Sequence, residues 1–352
     1  MSQFIQLHLL TSYPPSNPNR DDLGRPKTAV MGGTTRMRIS SQGLKSAWRK
    51  SDAFGEALKG NKAIRTKLMG VEIYNKLLQS GITEKKAKDW AKKMAGVFGK
   101  NKSENKDKPL EELEIDQITV ISPEETTAID NLCQVLIKEQ RDPNENELSL
   151  LREENSSADV AMFGRMLASN PKFNVEAAVQ VAHAITVHKV AVEDDFFTAV
   201  DDLNRGEIDR GSAHMGDTEF SSGLFYLYIC INKTLLIENL GGNKDLANKT
   251  LAALVEASAT VAPSGKQNSF GNRVRASYIL AEKGPQQPRS LSLAFLKAVT
   301  GEDVYGNAKK EMKAVKVNMV KSYGECSEGE TEMDALAGTG TLAEIKKFVR
   351  EA

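Results

Sequence analysis

The sequence predicts an α+β fold in which a ferredoxin-like sheet carries a helical insertion and a projecting two-stranded ribbon. Three observations lead there. Gln3 to Thr11 and Leu224 to Asn232, far apart in the chain, both alternate with the period of a strand. Between them, from about Phe54 to Val181, the pattern is helical, polar and interrupted. Glu193 to Glu219 is acidic and punctuated by Gly206, Gly211 and Gly216, which fits two antiparallel arms leaving the core.

Taken in order, Gln3 to Thr11 places Ile5, Leu7 and Leu9 on one face and Phe4, Gln6 and His8 on the other. Ser12 to Thr35, rich in Pro, Asn, Asp and Gly, reads as one long loop. Ser40 or Ser41 caps a helix running through Lys50, with Leu44, Ala47 and Trp48 inward and Gln42, Lys45 and Arg49 on the opposite side. Within the insertion, the Lys/Glu-rich stretch from Lys100 to Glu114 reads as a solvated linker. The strongest strand signal follows the ribbon: Tyr226, Tyr228 and Cys230 alternate with Phe225, Leu227, Ile229 and Ile231. Lys244 to Val261 is helical, Arg273 to Leu280 reads as a further strand, and Thr341 with Glu344 opens a last helix from Leu342 to Arg350. The sheet is expected to carry its helices on one face.

Composition bounds the class. The chain has 352 residues, with 47 Lys+Arg against 47 Asp+Glu. The longest charge-free apolar run in the middle of the chain, Phe220 to Asn232, falls short of the ~20 residues a membrane span needs. The first charged residue, Arg20, follows Pro14, Pro15 and Pro18, so a secretory signal is not expected. Cys133, Cys230 and Cys326 are odd in number and scattered, which argues against a disulfide framework and for a reducing, cytoplasmic setting. The zero balance hides opposed blocks. Arg20 to Lys50 holds eight basic and two acidic residues, while Lys100 to Asp159 holds seven basic and sixteen acidic. Such a distribution suits a polyanion binder with an acidic back, or a subunit that stacks on copies of itself.

The chemistry-bearing residues sort accordingly. His183 and His188 are five apart, the wrong spacing for a zinc pair on a helix, and His214 has no partner at ligand spacing, so no metal or cofactor is expected. Gly241-Gly242 has no phosphate-binding fingerprint around it and reads as a turn. Asp21 and Asp22 are adjacent and diverge, which makes them loop caps rather than a paired acid and base. By contrast, Arg38, Ser40 and Gln42 leading into Lys45 and Arg49 set cations and backbone N–H groups at a helix start, as a phosphate backbone requires. Lys266 and Gln267, after Pro263-Ser264-Gly265, form a second polar cluster of this type. Phe196 and Phe197 stand among aspartates in a segment otherwise composed for exposure; such a pair usually packs into the core, and in a nucleic-acid-binding protein it is also the setting of a stacking platform or wedge.

Several blocks carry a resemblance. Asn19 to Asp22, the run GGTTRMRISSQGLKSAWR from Gly32 to Arg49, Ala182 to Thr186, Phe197 to Asp202, Gly211 to His214, Glu219 to Gly223 and Glu238 to Gly242 resemble, in order, the CasC-type backbone subunits of type I-E CRISPR Cascade. The resemblance implies an RNA-recognition-like palm (1–55, 182–190 and 221–352), a helical fingers insertion (56–181) and a β-hairpin thumb (191–220). It implies several copies head to tail along one CRISPR RNA, beside other Cascade subunits, displacing a base at intervals. Target DNA would be met through the guide heteroduplex, and an effector nuclease-helicase indirectly. It further implies that Arg20, Lys27, Ser40, Gln42, Lys45 and Arg49 hold the RNA backbone. Arg165 and Met166, in the match Gly164-Arg165-Met166, would lie against the bases, with Phe196, Phe197 and Thr198 in the thumb. Glu193 to Glu219 has Arg205 and Arg210 against nine acidic residues, so this ribbon cannot act by neutralising phosphates. Two alternatives remain at this stage: a ribonuclease using Asp21 or Asp22, and a single-copy RNA-binding protein.

Overall fold

The computed structural model describes residues 3–154, 156–199 and 214–351. The ribbon tip lies outside them, and with it Arg205, Arg210 and the His214 side chain. Two compact units emerge, one within Met1–Gly55, Gln180–Asn232 and Leu251–Ala352, the other within Glu56–Val179 and Lys233–Thr250. The second includes Lys233–Thr250, which the sequence reading assigned to the palm.

An antiparallel sheet organises the first unit, in the order Gly329–Asp334, Tyr278–Gly284, β1 (Phe4–Ser16), His214–Asn232, Ala184–Thr186, β3 (Thr34–Ile39), β2 (Thr28–Met31). At its centre β1 pairs with His214–Asn232 from Phe4↔Asn232 to Tyr13↔Gly223, and the register then breaks before Ser16. Pro14 and Pro15 lie in the break, where a missing N–H is tolerated. The strand thus outlasts its expected end at Thr11. Nor is Ser12 to Thr35 a single loop: β2 and β3 form a hairpin with Met31 opposite Thr34. Gly32 and Gly33 turn it with φ 58° and 75°, the left-handed pair a two-residue hairpin loop needs.

Helices cover the sheet on both faces. On one, Leu10, Tyr226, Tyr278 and Leu280 bury against Phe295, and against Ala308 and Met312 of the helix Val304–Tyr323. On the other, Phe225 and Leu227 meet Leu44 of helix α1 (Ser41–Lys50), and Ser258 and Ala259. Two-sided burial explains why the polar partners of β1 are also inside. His8 is fully buried, with Nε2 3.1 Å from Glu282 and Nδ1 2.9 Å from the Tyr226 hydroxyl. Glu282 in turn accepts two bonds from Arg289, at 2.7 and 2.9 Å. The expected strand at Arg273 to Leu280 lies later, at Tyr278–Gly284, because Ala276 N–H is spent on Ala259 and pairing starts only at Tyr278↔Asp334. Val304–Tyr323 and the edge strand Gly329–Asp334 are elements the sequence reading lacked. The edge strand alternates acids that meet lysines of that helix, among them Glu332 with Lys313 at 2.9 Å.

In the second unit the helices Met69–Gln79, Glu84–Gly96 and Pro123–Glu139 enclose Leu77, Trp90, Met94, Ile129, Cys133 and Leu136. A capping box starts the last of them: Ser122 Oγ accepts from Glu125 N–H and Glu125 accepts from Ser122 N–H. Lys100 to Glu114 is exposed over most of its length, and its end is fastened to the helices: Leu113 is fully buried and Glu112 is held by Lys88 and Lys92 at 2.5 and 2.6 Å. The three cysteines are free and buried. Among the described residues, no helix is long and apolar enough to cross a membrane.

Candidate nucleic-acid interface

The start of α1 is built from three segments of the first unit. Ser40 is its N-cap, with Oγ accepting from Gly43 N–H at 3.2 Å, and Asn19 Oδ1 accepts from Ser40 N–H at 2.9 Å. The hydroxyl is therefore committed to the helix. What remains toward a ligand at this end is the backbone N–H direction and the positive end of the dipole. Gln42 is exposed, while Lys45 and Arg49 are half-buried on the following turns. Burial lowers the Lys45 pKa. A nearby phosphate opposes that shift by favouring the charged ammonium.

Lys27 and Arg38 are tied side by side through the backbone: Lys27 N–H donates to Asn19, and Arg38 N–H donates to the Lys27 carbonyl at 2.7 Å. Arg20, bridged to Pro26, projects into solvent from the same loop. The Arg38 guanidinium is 2.7 Å from His183 Nδ1. Burial, and then the Arg38 and Lys27 charges, lower the His183 pKa. His183 thus belongs to this surface, although spacing alone gave it only a structural role. Its missed signal was its distance in sequence from the basic block.

Lys266 and Gln267 lie on a loop seated beside this end. A Cβ at Gly265 would fall 2.4 Å from the Pro18 carbonyl, so this loop lies against the segment that leads to Asn19. The ribbon is anchored there as well: Asn17 Nδ2 donates to Glu219 O at 2.9 Å, and Arg25 pairs with Glu219 at 3.1 Å. Arg36, counted in the basic block, is not part of the surface. It is fully buried and donates to Thr34 Oγ1, Thr186 O and Phe295 O. Asp21 is a loop cap, accepting from Leu23 and Arg25 N–H at 3.0 and 2.9 Å.

The ribbon pairs Glu193–Ala199 with the start of His214–Asn232, placing Phe197 opposite Gly216. The Phe197 ring lies over that glycine, 2.7 Å from where a Cβ would stand. Phe196, on the other face, is 63% exposed against 41% for Phe197, and Thr198 is exposed beside them.

Arg165 and Met166 belong to the second unit and behave oppositely. The Arg165 guanidinium is internal: Nη1 lies 2.8 Å from both Glu125 oxygens, and Nη2 reaches Phe173 O. With both side chains almost inaccessible, at 1% and 0%, it cannot lie against a base without breaking that pair. Met166 is 83% exposed.

Residues 5–348 match the model of the CT1975-like protein family. Among solved structures, a chain described as "CRISPR RNA-guided surveillance complex, pre-nicking" is 31% identical, with a TM-score of 0.83 over 99% of this chain and 100% of that one. A chain from a "CRISPR RNA-guided surveillance complex" is 26% identical, with a TM-score of 0.61 and 99% coverage of both. Comparison with curated protein sequences gives no match.

Proposed function

Because this chain belongs to the CT1975-like protein family, we propose that it is a non-catalytic CRISPR-RNA-binding backbone subunit of a surveillance complex. The observation that carries the reading is the gathering of Arg20, Lys27, Arg38 and Gln42 about the start of α1, with Lys45 and Arg49 along the same helix and Lys266 and Gln267 on the loop seated at Pro18, in a chain of zero net charge. The likeness over its whole length to chains of RNA-guided complexes supports it.

In this reading the sheet unit is the palm, the helical unit the fingers and the Phe196 ribbon the thumb. Copies stack head to tail on one guide. The cations hold phosphates without reading sequence, and the guide bases stay available for pairing with target DNA. Phe196 and Met166 offer apolar surface to bases, and Arg165 serves the fold. Asp21, spent on two backbone N–H groups, caps a loop.

Expression with a CRISPR array, followed by purification and sequencing of the bound RNA, tests the assignment. Guide-length RNA bound by several copies per strand is the expected result. A monomer that binds short RNA without cooperativity, or Mg²⁺-dependent cleavage abolished by Asp21→Ala, would replace it.

A further inference from the structure

The far end of α1 opens on a cleft of about 470 Å³ lined by Ser51, Asp52, Ser264, Gln267, Arg273 and Arg275 among others. Arg273 and Arg275, two residues apart in the turn that follows Gly271, are exposed, and neither side chain makes a hydrogen bond or ion pair with any described residue. Gln267 Nε2 is buried without an acceptor. Asn272, immediately before Arg273, is fully buried with both amide atoms unpaired. Such a group is costly unless a partner arrives.

The balance of charge selects the partner. Lys50 ends α1 next to Ser51. Against Lys50, Arg273 and Arg275 stand Asp52 and the negative ends of the α1 and Lys244–Thr260 dipoles, weaker and partial charges. Guanidinium forks beside an amide donor and a hydroxyl match an oxyanion, best a phosphodiester. Continuity points to its source. One loop carries both ends of the surface: Gly265 seats it at Pro18, near the α1 start, while Ser264 and Gln267 line this cleft. The ten residues of α1 separate the ends by about 15 Å.

We infer that this cleft is a second phosphodiester site, in which Arg273 and Arg275 hold the same single strand of RNA that the α1 start engages. The inference rests on the RNA-binding reading above.

The test measures log K against log salt for the full chain and an unstructured RNA, comparing the parent, Arg273→Gln/Arg275→Gln and Lys45→Gln/Arg49→Gln. Each lost phosphate contact lowers the slope by about 0.7, so the Arg273/Arg275 pair lowers it by about 1.4, or about sevenfold less affinity lost over a fourfold rise in salt. Because both arginines are exposed and unpaired, the melting temperature stays at the parent value. If the RNA slope is unchanged but single-stranded DNA binds the RNA-saturated variant more weakly than the parent, the phosphodiester comes from a second strand and the assignment to RNA is overturned. If neither changes while Lys45→Gln/Arg49→Gln still lowers the slope, the second site is refuted and the RNA-binding reading stands. If no variant lowers the slope, that reading itself fails.

Discussion

Arg38 and His183, 145 residues apart in the chain, meet at 2.7 Å with the guanidinium donating to the imidazole Nδ1. The bond requires an unprotonated Nδ1, so the proton of the neutral ring sits on Nε2, facing away from the arginine. One consequence is measurable. In Arg38→Ala the ring loses a neighbouring cation, and the His183 pKa rises from its lowered position toward the ordinary value. A histidine NMR titration reads this directly, with only four histidines to assign. An unchanged pKa would show that the two side chains do not interact in solution.

Arg165→Met breaks a fully desolvated pair and leaves Glu125 charged and buried, at a cost of about 3–5 kcal/mol in chemical denaturation. Arg165→Met with Glu125→Leu removes both charges and recovers part of that loss. Met166→Ala leaves stability at the parent value and weakens RNA binding only. If Arg165→Met is as stable as the parent, the guanidinium is not committed to the fold.

The two ribbon phenylalanines separate by the same logic. Phe196→Ala removes an exposed ring and reduces assembly on long RNA, since stacking on an aromatic is worth about 1–3 kcal/mol per base. Phe197→Ala uncovers Gly216 and loosens the ribbon, seen as faster amide exchange over Glu193–Ala199, with a smaller effect on assembly. The opposite ranking would make Phe197 the inserted ring.

Acid weakens the sheet unit in two stages. The His8 pKa lies below the ordinary histidine value of 6.5, since burial outweighs the attraction of Glu282. The unfolded chain therefore takes this proton first, and stability present above about pH 6.5 is lost as pH falls through the folded value. Burial would raise Glu282, but His8 and Arg289 hold it down at about 2, so its contribution is lost between the ordinary glutamate value of 4.5 and about 2. Denaturation midpoints between about pH 7 and 5 should fall in the parent and stay flat in His8→Gln. Equal slopes would mean that His8 does not titrate with unfolding.

Strand alternation at Ile5, Leu7 and Leu9, the capped helix at Ser40, the last helix at Thr341 and the basic block from Arg20 to Lys50 were all determined by the sequence alone, because caps, period and local charge act within a few residues. The Gly32-Gly33 hairpin was equally local, and its positive-φ glycines were the available signal. Only the tertiary structure decided which charges are surface and which are scaffold. Arg36, Arg38 and Arg165 look alike in sequence. Yet Arg36 is satisfied by carbonyls 150 and 259 residues away, Arg165 by a carboxylate 40 residues away, and Arg38 by a histidine that leaves it at the surface. The strand at Tyr278–Gly284 and the edge Gly329–Asp334 were set the same way, by ladders with segments distant in sequence. A charge is inside or outside according to which distant acceptors the fold brings to it, and no local pattern encodes that.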